Sequence, residues 1–149
     1  MAYLPRKCPN CREKRVVEIT ERYDERVEHD GRAYDISVPD LAILKCEACG
    51  NRVLSAEADD RVNDATRIAA GLLMPAEIRS KRLSLNLSQK EMADLLNIAE
   101  AVYARWESGG QIQQRHSDLL LRSLFAVPEL RRFLSARPPV AEASHPQVA

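Results

Sequence analysis

All four cysteines of the 149-residue chain fall in two pairs, Cys8-Pro9-Asn10-Cys11 and Cys46-Glu47-Ala48-Cys49-Gly50. A C-x2-C spacing lets two thiolates converge on one ion, so two such knuckles complete a tetrahedral set of four sulfurs. Gly50 lets backbone amides turn toward a sulfur. Four thiolates leave no open coordination position, which points to a structural ion rather than a catalytic one. A redox CxxC would instead be a single reactive pair in a thioredoxin-like setting. One structural zinc is the expected cofactor, with another thiophilic ion as the alternative. His29 is a further candidate ligand, but beside Asp30-Gly31 it reads as a turn residue. The remaining histidines, His116 and His145, stand at a helix start and in the tail, and no triad, phosphate loop or HExxH motif appears. Without convergent acid, base or nucleophile, the chain reads as a binding protein and not an enzyme.

The 34 residues between the knuckles must bring them together, and a small sheet would do so. Val17, Ile19 and Tyr23 alternate on a polar first strand, and Asp30-Gly31 is a hairpin signal. Tyr34, Ile36 and Val38 alternate on a second strand that Pro39 should end. Leu41-Ala42-Ile43-Leu44 would then be a third strand leading into the second knuckle. So small a domain buries little apolar surface, so metal binding should supply much of its folding free energy. An exposed strand there would offer unpaired backbone groups to a partner's strand, or else be a solvated edge guarded by its charges.

A second constellation lies between residues 78 and 110. Ser88 with Glu91 forms a capping box, and Leu87 with Met92 takes the hydrophobic-staple positions around it. Met92, Leu95 and Leu96 give that helix one apolar face, and Asn97 suits the left-handed residue that would end it. A second helix follows with Tyr103 and Trp106 inward and Glu100, Ala101, Ala104 and Arg105 outward. Short residues and an arginine on the outer face are the makeup of a major-groove reader. Ile78 to Leu87 looks like the preceding helix, and Ser108-Gly109-Gly110 supplies the stop. The words Arg82-Leu83-Ser84-Leu85-Asn86-Leu87-Ser88-Gln89, Met92-Ala93 and Arg105-Trp106-Glu107-Ser108-Gly109 resemble the lambda-repressor-like, or Xre-type, helix-turn-helix family.

The flanks complete the organisation. Ser55 can cap a helix carrying Ala58, Val62, Ala65, Ala69 and Leu72, packed on the sheet or on a symmetry mate, which Gly71 to Pro75 breaks. Ser117-Asp118 can cap a helix with Leu120, Leu121, Leu124 and Phe125, and Pro128-Glu129-Leu130 begins a last short one. The fold expected is α+β in two small domains: a zinc-stapled three-stranded antiparallel sheet and an all-α five-helix helix-turn-helix unit. The boundaries read as 1–54 for the sheet, 55–75 for the connecting helix and hinge, 76–136 for the DNA-binding domain and 137–149 for a disordered tail. Net charge is zero, with −2 over residues 1–75 and +2 over 76–149. That mild bias suits a specific reader with a few placed phosphate contacts, not a nonspecific coat. No window approaches the ~18 apolar residues of a membrane span, and no signal-peptide core appears, so a cytoplasmic protein is expected.

Taken over about residues 8–134, the chain resembles the MqsA (YgiT-type) antitoxin family. The resemblance rests on Cys8-Pro9-x-Cys11, Gly31-Arg32, Leu44-x-Cys46-x-x-Cys49, Leu83-Ser84-Leu85, Ser88-Gln89-Lys90-Glu91, Arg105-Trp106-Glu107 and Pro128-Glu129-Leu130. It implies a zinc domain that binds a cognate ribonuclease-type toxin, and a helical domain that dimerises and represses its own operon at a double-stranded DNA palindrome. It also implies that Arg105 reads bases, that Gln89 touches a phosphate, and that Arg82 and Glu107 form a structural ion pair. Lys90 and Arg115 are further phosphate candidates. Where the family has Asn, this chain has Ala101, which cannot make a bidentate contact to adenine, so its operator should differ. The first knuckle also carries Arg12 where the second has Gly50. A zinc-ribbon and helix-turn-helix regulator without a toxin partner is the alternative reading.

Overall fold

The computed structural model describes Leu4 and residues 6–138. Two long strands, β1 (Val16–His29) and β2 (Arg32–Cys46), pair antiparallel, and a short β3 (Arg52–Leu54) joins the other side of β2 after the second knuckle. Asp30 and Gly31, both left-handed at φ 51° and 72°, close the hairpin with the twist a two-residue loop needs. Six helices follow among the described residues: α1 (Ala56–Ala70), α2 (Pro75–Ser84), α3 (Gln89–Leu96), α4 (Glu100–Ser108), α5 (Arg115–Ala126) and α6 (Pro128–Ser135). The class is the expected α+β, with an antiparallel three-stranded sheet ahead of the helices. No helix among the described residues is long and apolar enough to cross a membrane.

The strands differ in detail from the sequence reading. Pro39 does not end a strand and Leu41–Leu44 is not a separate one; both lie within β2, and the third strand is Arg52–Leu54. The cause is a β-bulge. Glu21 pairs with Leu41 and Tyr23 with Val38, so Arg22 alone faces Pro39 and Asp40. A proline, lacking an N–H, is tolerated where the ladder is already interrupted. Asp40 takes φ 50° there. From α1, Arg61 donates to the carbonyls of Pro39 and Asp40 at 2.7 and 2.8 Å. The extra residue changes the alternation, so Ile36 and Val38 share a face with Leu41 and Ile43. In the sequence that change of parity looks like a strand ending.

The sheet buries both faces near its base. On one, Ile36, Val38, Leu41 and Ile43 pack against Ala58 and Val62 of α1, which uses its apolar stripe on the sheet, not in a coiled coil. Ser55 Oγ accepts from Ala58 N at 3.1 Å to start α1, and Gly71 at φ 68° ends it. On the other face Val16 and Leu44 pack with Cys8 and Cys46.

A second core gathers Leu73, Ile78, Met92, Ala93, Leu95, Leu96, Tyr103, Trp106, Leu121 and Leu124 from α2 to α5 and the segment before them. Helix α2 stops at Ser84, three residues short of the sequence reading, because Asn86 turns left-handed at φ 55°. Helix α5 starts at Arg115, so Ser117-Asp118 is not its cap. Asp118 is instead a buried acceptor: Oδ1 takes bonds from Leu73 N (2.8 Å) and Gln113 Nε2 (3.1 Å), and Oδ2 takes one from Arg122 Nε (2.6 Å). Those bonds pin the segment between α1 and α2 to α5. The tail expected to be disordered lies, from residue 139 on, outside the described residues.

Candidate metal centre and nucleic-acid interface

The two knuckles are built alike. Cys8 N donates to Glu13 O and Arg12 N to Cys8 O, both at 2.9 Å; Cys46 N donates to Asn51 O at 2.9 Å and Gly50 N to Cys46 O at 2.7 Å. The position after each second cysteine is left-handed, Arg12 at φ 64° and Gly50 at φ 73°. The repeated turn aims all four sulfurs inward. Cys8 Sγ lies 3.7 Å from Cys49 Sγ, Cys11 Sγ 3.6 Å from Cys46 Sγ, and all four sulfurs lie within 4.8 Å of one another.

These separations test the fit of an ion. A zinc about 2.3 Å from each of four tetrahedral sulfurs holds them about 3.8 Å apart, close to what the cluster presents. Cys8 and Cys46 are buried, Cys11 is half-buried and Cys49 is exposed, so the centre closes one end of the sheet core. The Asn51 amide and then the Asn10 side chain draw the Cys49 thiol down to about 6, against a smaller effect of partial desolvation. At Cys11 the Glu13 amide also favours the thiolate, but burial and the three other thiols outweigh it and push the group up to about 12. A divalent cation held by Cys8, Cys11, Cys46 and Cys49 would favour the thiolate form of all four. The donor set and its spacing support one structural zinc. His29 is not part of it; its Nε2 lies 3.0 Å from Gln113 O, at the far end of the hairpin.

The second site is the helix pair α3 and α4. Ser88 Oγ accepts from Glu91 N at 3.1 Å while Glu91 Oε2 accepts from Ser88 N at 2.7 Å, which fixes where α3 begins. Asn97, at φ 57°, ends it, with Ile98 N returning to Ala93 O at 3.0 Å. The chain then enters α4 with Tyr103 and Trp106 buried edge to face, their ring centroids 6.1 Å apart. That contact holds one side of α4 in the core and leaves Glu100, Ala101 and Arg105 exposed and Ala104 half-buried on the other.

A bidentate ion pair fixes the lower half of α4. Arg82 Nε donates to Glu107 Oε1 at 2.6 Å and Nη2 to Oε2 at 2.9 Å, with both side chains at most 9% exposed. Burial opposes the charge on Glu107, but the Arg82 and Gln89 hydrogen bonds overcome it and hold the carboxyl below its usual range. Gln89 Nε2 donates to Glu107 Oε2 at 2.8 Å, so its amide braces α4 as well as opening α3. Exposed Lys90 pairs with Asp94 at 3.0 Å. Half-buried Arg115 is the first residue of α5, and its amide donates to Asp30 Oδ2 at 2.9 Å. The structure thus groups Arg82, Gln89 and Glu107 around the base of α4 and sets Glu100, Ala101, Ala104 and Arg105 along its outer side.

Several residues that shape this site carry no sequence signal. Arg67 is 1% exposed on α1, where a helix read from its alanines and Val62 gives no reason to bury a cation. Asp30 reads as a turn residue and Asp118 as a cap; both act over long sequence distances. No curated protein matches the chain by sequence. A family model described as the antitoxin component of a bacterial toxin-antitoxin system, MqsA, matches residues 6–134.

Proposed function

Because the chain belongs to the MqsA family of antitoxins, we propose that it neutralises a ribonuclease-type toxin through its zinc domain. We propose further that it represses its own operon as a homodimer bound to a DNA palindrome. The observation that carries the DNA half is the pose of α4. Two buried aromatics and an ion pair hold one side, leaving Glu100, Ala101 and Arg105 exposed on a helix of the length and composition that enters a major groove. Arg105 would take a base edge, most naturally guanine O6 and N7. The start of α3 at Gln89 and the start of α5 at Arg115 would meet phosphates.

The toxin half rests on β1. It is an edge strand of 14 residues, paired with β2 on one side only among the described residues. Glu18, Glu21, Asp24, Glu25 and Glu28 outnumber Arg22 and Arg26 along it. An acidic edge suits strand addition by a basic nuclease, the backbone bonds giving affinity and the charges attracting the partner.

The test is promoter binding by the wild type and by Arg105→Ala, measured by fluorescence anisotropy on the native upstream fragment and on a scrambled one. The substitution should cost about 1–3 kcal/mol of discrimination and leave nonspecific binding in place. A variant that keeps its full sequence preference would remove Arg105 from the reader role.

A further inference from the structure

The loop between α4 and α5 is gripped by the sheet domain. From α1, Arg67 Nη2 donates to the carbonyls of Gly109 (3.1 Å) and Gln111 (3.2 Å), while Nη1 donates to Asp64 Oδ1 (2.9 Å). From the hairpin tip, His29 Nε2 donates to Gln113 O at 3.0 Å. The neighbouring Asp30 carboxylate accepts from Arg115 N at 2.9 Å. That last bond closes a gap in local structure. The first amides of a helix have no partner within it, and Gln114, the residue in the N-cap position of α5, gives no side-chain bond. The acceptor comes from a turn 85 positions earlier in the chain. Beneath the loop, Gln113 is fully buried, with Nε2 on Leu73 O at 2.7 Å and on Asp118 Oδ1 at 3.1 Å. The segment from Gly109 to Arg115 is therefore held from three directions, two of them belonging to the sheet and α1.

We propose that Arg67, His29 and Asp30 form a clamp through which the zinc domain sets the start of α5, making them positioning residues for a phosphate contact by Arg115. This rests on the DNA-binding reading above. A carboxylate is the favourable group at the positive end of a helix, so Asp30 orders the first turn of α5 as an N-cap side chain would. Arg67 fixes the carbonyls that follow α4, so the end of the reader helix and the start of the next are held by one frame. None of the three residues needs to touch DNA. They settle where Arg115 stands before DNA arrives, which spares binding the cost of ordering it.

Asp30→Gly is the sharpest test, because glycine keeps the left-handed turn and deletes only the carboxylate. Full-length, metal-loaded protein is compared as wild type, Asp30→Gly, Asp30→Asn, Arg115→Ala and the Asp30→Gly/Arg115→Ala double variant. Two readouts are taken: backbone hydrogen exchange and the salt dependence of promoter binding. In Asp30→Gly, exchange over residues 111–118 should rise roughly five- to tenfold. Promoter affinity should fall by a similar factor, and the salt slope should drop by about one phosphate contact, as in Arg115→Ala. The double variant should lose nothing beyond Arg115→Ala. Asp30→Asn, whose amide oxygen still accepts, should recover most of both losses. Unchanged exchange over 111–118 overturns the clamp. Loosened exchange with an unaltered promoter slope, or tighter binding, overturns the positioning role. If the wild type itself shows no preference for its promoter, the DNA reading falls, and hydrogen exchange alone decides the clamp.

Discussion

Arg12 occupies, at φ 64°, the place that Gly50 occupies at φ 73° in the other knuckle. An L-residue with a Cβ is strained there, while glycine is not. Its amide still makes the required bond to Cys8 O, so the turn forms despite the side chain. Arg12→Gly should therefore stabilise the metal-loaded protein by about 1 kcal/mol, read as an upward shift of the denaturation midpoint at constant slope. A lower midpoint would mean that the Arg12 side chain makes a contact worth more than the backbone strain. The four cysteines were fully legible because ligand chemistry dictates both residue type and spacing. Arg67 was not, because burying a guanidinium depends on carbonyls at Gly109 and Gln111, more than 40 residues away in sequence.

Between elements, a buried bidentate ion pair ties Arg82 on α2 to Glu107 on α4. Removing one partner leaves a buried charge uncompensated, so Glu107→Gln should cost about 3–5 kcal/mol while altering base preference little. The pH dependence follows from the same geometry. Glu107 has a lower pKa folded than unfolded, so its stabilising contribution is full above the ordinary carboxylate value of about 4.3. It is lost as pH falls through the depressed folded value. Thermal melts from pH 7 down to pH 3 should show a steeper loss for wild type than for Glu107→Gln, and parallel curves would count against the pair. At this scale the caps of α3 are legible, since Ser88, Glu91 and Asn97 act on neighbours within a turn, while the cap of α5 is not, its acceptor being Asp30 of the hairpin. Nor is the division of strands. Period-two alternation locates strands, and a bulge that adds one residue imitates a break, so in the sequence one strand looks like two.

At the scale of the molecule, the helical core and the two smaller cores of the sheet differ in what sustains them. Among the described residues the helical core has ten buried apolar residues from five segments, and the polar groups buried beside it, Arg82, Glu107, Gln113 and Asp118, are hydrogen-bonded. The sheet has a small core on each face, one of them lined by Cys8 and Cys46. Chelation should therefore unfold the sheet first and leave much helical signal, giving two transitions by circular dichroism where the zinc-loaded protein gives one. A single transition with and without metal would mean that the ion adds little to folding. Promoter binding should weaken on chelation although none of the four cysteines belongs to α4, because the sheet also carries Asp30 and His29. The family resemblance reached the two-part plan of the chain, but not how the parts dock. Docking contacts pair residues such as Asp30 and Arg115, which no local pattern links.

The bulge at Pro39 and Asp40 has a consequence of its own. Because it absorbs one surplus residue without turning any hydrophobe outward, β2 has slack: excising Asp40 would leave Ile36, Val38, Leu41 and Ile43 facing α1 as before. What excision would alter is the bend and the grip of Arg61, and so the direction in which Asp30 points. The same hairpin could thus be re-aimed by a change in length that its own packing would scarcely register.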